Sequence, residues 1–123
     1  MVEYDKREIP SSDWPQFLDQ FSKDHLGALV DLETRADGEH QLQARSMPLE
    51  GITGDWAGTR SPAIEVIVGT ETDRTLTHII KDPSHLFVGN RDGIEEVLEI
   101  DSEDSGPTVL HFRSEANPDL VKK

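Results

Sequence analysis

At Gly27 the apolar pattern of this chain changes period, and that change decides its architecture. Upstream, Trp14, Phe17, Leu18 and Phe21 fall at i, i+3, i+4 and i+7, one stripe of a helix. Downstream, apolar residues recur at every second position in short runs broken by turn residues, the period of half-buried strands. One amphipathic helix followed only by strands must lay its stripe on a sheet, so the expected class is α+β.

The helix is predicted from Ser11 to about Asp24. Ser12 is placed as N-cap, Asp13 beside the positive end of the macrodipole and Pro15 in the first turn. Gly27 is placed just past the last turn, where a positive φ ends a helix. Strands are expected over Ala28–Glu33, through Leu42 and Ala44 to Met47-Pro48, over Ala63–Val68, Thr75–Ile80, His85–Val88, Val97–Ser102 and Thr108–Ser114. Asp37-Gly38 is a two-residue hairpin signal, and Asp82-Pro83-Ser84 and Gly89–Gly93 read as turns. Residues from Leu49 to Pro62, with three glycines and Trp56, read as one long loop. Local connections imply an antiparallel meander of six or seven short strands. A partly open barrel capped by the helix handles the edges of such a sheet, with a helix on an open sheet as the alternative. All 123 residues are assigned to a single domain, with 1–10 and 115–123 as loosely ordered ends.

The chain carries no cysteine, which excludes disulfides and thiolate metal sites. Its formal net charge of −13 repels phosphate backbones and anionic lipid, so neither nucleic acid nor a membrane is expected as a partner. The charged start, Met1 to Glu8, has no apolar run for a signal or a span, and a cytoplasmic location is the default. The acidity fits a solubility surface. It also fits life at high salt, which the small number of lysines favours, or a basic protein partner. The oligomeric expectation is a monomer or weak homodimer.

Sites that could carry chemistry are few. His78 and His85 flank a tight turn with Asp82 between them, and would converge if their strands paired; the spacing matches no compact zinc motif. A half-buried, satisfied His78 is the simpler expectation. Asp101, Glu103, Asp104 and Gly106 look like a fragment of a calcium loop, but the register and the closing glutamate are missing, so a solvated turn is expected. No nucleophile elbow, phosphate loop or dinucleotide fingerprint is present. No metal, cofactor or catalytic residue is therefore assigned. Trp56, in a polar glycine-rich loop, is either an interaction residue or folds back to plug one end of the core.

Arg7-Glu8-Ile9-Pro10, Trp14, Phe17-Leu18, Phe21-Ser22, His25 and Gly27 form a pattern that extends through the chain. It continues with Pro48-Leu49-Glu50-Gly51-Ile52, Ile67-Val68-Gly69 and Thr77-His78, then Leu98-Glu99-Ile100-Asp101 and Phe112-Arg113-Ser114. On these residues the chain resembles a prokaryotic domain-of-unknown-function family of short acidic single-domain proteins. The resemblance implies no activity, cofactor or partner. Within it, Arg113 and His78 are either a small polar site or an internal ion pair and a core histidine.

The leading expectation is a non-enzymatic binding or protein-interaction module, acting through the long loop, with Trp56, or through a sheet edge. The alternative is a small-ligand-binding barrel or small enzyme with a site around His78, His85 and Arg113. That alternative requires a concave apolar pocket with converging polar groups.

Overall fold

The computed structural model describes residues 5–36, 39–56, 62–69, 75–91, 94–103 and 106–112. In chain order these form β1 (Asp5–Glu8), a 3-10 turn (Ser11–Asp13), α1 (Trp14–Asp24), β2 (Leu29–Ala36), β3 (Glu39–Asp55) and β4 (Ala63–Gly69). β5 (Thr75–Lys81), β6 (Pro83–Arg91), β7 (Ile94–Ser102) and β8 (Thr108–Phe112) follow. The strands make one eight-stranded antiparallel sheet in the order β1-β6-β7-β8-β2-β3-β4-β5. The α+β class with a single N-terminal helix is therefore the observed one.

The sheet consists of two meanders, β2 to β5 and β6 to β8, joined where β8 pairs with β2 and Val30 lies opposite Phe112. Both meanders wrap one apolar core. Val30 and Leu32, Ile64 and Val66, Leu86 and Val88, Leu98 and Ile100, and Leu110 are fully buried in it. Burial alternates along the strands, as the pleat demands.

The helix seats Trp14, Leu18 and Phe21 in this core against β3. It begins differently from the expectation. Ser11–Asp13 form a 3-10 turn and no side chain caps either start, so Ser12 is not an N-cap. Gly27 does end the helix with φ +85°, and its N–H donates to the Leu49 carbonyl at 2.8 Å. Trp14 donates its indole N–H to the Ile9 carbonyl at 2.8 Å, and the Ile9 N–H donates to the Leu86 carbonyl at the same distance. Those bonds hold β1, on residues expected to be a loose end, against β6.

β3 does not stop at Met47-Pro48. Ser46 takes φ +53° beside shifted β2–β3 register, and its N–H donates to Asp31 Oδ1 at 2.7 Å. This bulge bends the strand, so that its first half pairs with β2 and its second half, Leu49–Asp55, pairs with β4. Half of the expected loop is thus strand. β6 likewise runs through Gly89–Arg91, with a register shift rather than a turn there. Asp37-Gly38 lies outside the described residues, but Ala36 faces Glu39 as a two-residue hairpin requires.

The sheet rolls without closing into a barrel. A single residue, Asp82 at φ +51°, joins β5 to β6, and β6 already has β1 on one side and β7 on the other. With both sides of β6 taken, β5 cannot pair with it and remains an edge. Ser102 Oγ donates to the Lys81 carbonyl at 2.7 Å, tying the corner to the end of β7.

Candidate functional site

Trp56 turns back onto the molecule. Its ring is half-buried against the core, with its centroid 6.1 Å from that of Trp14, and it lies directly over Gly54. A Cβ at Gly54 would occupy the indole's space, so that glycine is what lets the ring lie down.

His78 and His85 do not converge, because β5 and β6 do not pair. His78 shares the inner face with Val66, lies 3.4 Å from Thr108 Oγ1 through Nε2, and burial holds its imidazole below the ordinary range. His85 stands on the outer face opposite Asp101, with Nδ1 2.8 Å from Glu8 Oε2. That hydrogen bond, with the charges of Glu8, Asp101 and Glu103, raises its pKa. Arg113 lies outside the described residues. Among those that are described, no group of histidine and carboxylate side chains is arranged to hold a metal ion.

The two edges of the sheet differ sharply. β1 is four residues long, and each is charged and exposed: Asp5, Lys6, Arg7 and Glu8. Short, charged edges resist pairing with other chains. β5 has neither protection. It runs seven residues as Thr-Leu-Thr-His-Ile-Ile-Lys, pairs with β4 without a register shift, and leaves Ile79 51% exposed. The Asp82 N–H donates to the Pro62 carbonyl on the β4 side, whereas the Lys81 carbonyl faces Ser102 on the other side. Alternation then aims the backbone groups of Thr75, Thr77 and Ile79 at the open side. Among the described residues no strand pairs there. This edge was legible in composition: four of its seven residues are β-branched, its one formal charge is the terminal lysine, and it holds no proline.

A charge network covers the outer face where the two meanders join and continues onto β7. Glu33 contacts Arg35 Nε at 3.4 Å, His111 Nε2 at 3.2 Å and His40 Nδ1. Burial works against its charge, but these partners outweigh it and hold the carboxyl below the usual range. On β7, Glu99 and Asp101 sit two residues apart on the same face and share a hydrogen bond. Burial, then the bond and the charge of Glu99, push Asp101 up to about 6. Glu99 is held low by that bond and by Lys6, 3.2 Å away, despite its own burial.

Between the ordinary aspartate value and about 6, the folded state keeps an Asp101 proton that the unfolded chain has released. Stability therefore falls as pH rises through that window. Asp101→Asn is expected to stabilise the protein by about 1 kcal/mol at about pH 8, after discounting for partial exposure, and by nothing at about pH 4. Urea melts of both proteins at the two pH values check this. A gain that is equal at both would place its origin outside the Asp101 proton.

No helix among the described residues is long and apolar enough to cross a membrane. No curated protein and no solved structure matches the chain. A family model does match, over residues 5–120, nearly the whole chain from β1 past β8: the chain belongs to DUF5335, a family of unknown function.

Proposed function

We propose that this protein is a non-enzymatic interaction module that receives an extended, basic segment of a partner protein along the open edge of β5. The contrast between the two edges carries this reading: β1 is short and fully charged, whereas β5 is long, regular, β-branched and open. Strand addition supplies main-chain hydrogen bonds for affinity, and alternate side chains read the partner. Here the exposed row Thr75, Thr77 and Ile79 takes every second partner residue, with Glu65 opposite Ile79 on the same face to meet a basic side chain. The net charge of −13 favours a basic segment and disfavours a second copy of this chain.

Hydrogen exchange addresses the edge directly. In the free protein the amides of Thr77 and Ile79 are expected to exchange fast, and those of His78 and Ile80, aimed at β4, slowly. Capture of source lysate on the immobilised protein, at low and high salt, should retain a basic protein that slows Thr77 and Ile79. Ile79→Lys, an exposed substitution costing the fold about 0.5 kcal/mol or less, should abolish retention, and Trp56→Ala should not. Retention that survives Ile79→Lys but is lost with Trp56→Ala would move the interaction to the Trp56 side of the molecule.

A further inference from the structure

On the side of the sheet away from the core, the face of the β6–β8 meander is hollow. Phe87 of β6, Val97 of β7 and Val109 of β8 are apolar side chains on the side of the sheet away from the core. Gly89, opposite Val97, contributes no side chain to this row. The result is a depression of about 180 Å³ with this apolar floor. Lys6 of β1 and Arg35 of β2 stand in its wall, and Glu99 and His111 complete it.

The sign of this lining is the reverse of the protein's. The chain has 25 acidic and 12 basic side chains, yet the depression holds two cations against one carboxylate. Glu99 feels both cations. The Lys6 ammonium reaches Glu99 at 3.2 Å and lies 4.5 Å from the centre of the Phe87 ring, so it bridges the polar wall and the apolar floor. The contact of Arg35 with Glu33 is made through Nε, and the guanidinium carries further donors on its Nη edge. Size sets the rest: an apolar cavity of about 150 Å³ holds one benzene ring.

From this lining we infer that the depression is a binding site for a small organic anion, a single flat apolar ring bearing one carboxylate. The ring rests on Phe87, Val97 and Val109, and the carboxylate is held by Lys6 and Arg35. This site is independent of the β5 edge, and the failure of either leaves the other standing.

Benzoate is the probe, titrated into the full isotope-labelled chain, with benzamide, its uncharged analogue, in parallel. Benzoate is expected to shift the amides of Phe87, Val97 and Val109 saturably, and benzamide to bind at least about tenfold more weakly. The double variant Lys6→Gln/Arg35→Gln should weaken benzoate at least about tenfold. Val97→Phe, which fills the floor and leaves both cations in place, should abolish the shifts. The well-dispersed spectrum of each variant serves as its folding control. Three results overturn the site: no shifts at roughly 10 mM benzoate, equal binding of benzamide, or shifts that persist in Val97→Phe.

Discussion

Trp14→Ala is expected to lower the unfolding free energy by about 3–5 kcal/mol, a large share of what a domain of this size possesses. The indole is 6% exposed and belongs to the buried core, so its removal leaves a cavity that the rigid sheet around it cannot fill. Its N–H is also the donor that satisfies the Ile9 carbonyl, and Ile9 is the residue that fastens β1 to β6 through Leu86. Trp56 loses its ring partner in the same step. Trp14→Phe separates these effects: it keeps most of the packing and removes the donor, at an expected cost of about 1–3 kcal/mol. Urea denaturation followed by far-ultraviolet circular dichroism measures both, and amide exchange at Arg7 and Ile9 reports whether β1 lets go. A Trp14→Ala protein within about 1 kcal/mol of the parent would show that the helix does not depend on this anchor.

Gly106→Ala is expected to cost about 3 kcal/mol. Gly106 has φ +76°, and its N–H donates to the Ser102 carbonyl at 2.8 Å as the chain turns from β7 into β8. A Cβ there runs into the backbone carbonyl of Arg35, which cannot swing aside as a side chain would. Strain in the dihedral and displacement of β2 therefore add. The Arg35 N–H, which donates to the Pro107 carbonyl at 3.0 Å, should lose protection first, ahead of the ladder from Thr34–Thr108 to Val30–Phe112. Thermal unfolding gives the overall cost, and exchange at Arg35 locates it. A melting temperature equal to that of the parent would mean that the neighbouring backbone yields easily.

What the sequence made legible follows from which forces act locally. The stripe of Trp14, Phe17, Leu18 and Phe21 reads correctly because a helix face is a property of eleven consecutive residues. The strands over Ala63–Val68 and Val97–Ser102 read correctly from local composition too, and the structure buries Ile64, Val66 and Val68 of the one and Leu98 and Ile100 of the other. β1 was missed because Asp5-Lys6-Arg7-Glu8 has no apolar period at all; only the open side of β6 makes it a strand. The second half of β3 was missed because Pro48, Gly51 and Gly54 are turn residues by composition. Here they serve a bulge and the close approach of Trp56. Barrel closure depends on which strand meets which, and the occupied sides of β6 decide that. The outer depression was the least visible. Lys6, Phe87, Val97, Val109 and Arg35 come from five strands, and no window of sequence brings them together.

The pairing of β8 with β2 has a consequence for how the chain is made. Val30 and Phe112 are neighbours across that ladder, yet about two-thirds of the chain's length separates them in sequence. Until β8 has left the ribosome, β2 and β7 are also unpaired edges, and the nascent chain carries three bare strands besides β1 rather than one. Closing so long a loop is slow, and exposed strand edges are where newly made chains aggregate. Chaperone dependence during synthesis is thus expected to exceed what a domain of this size and simplicity would suggest. It should be relieved in a circular permutant that joins the two ends and opens the chain between β7 and β8, so that β8 is made before β2.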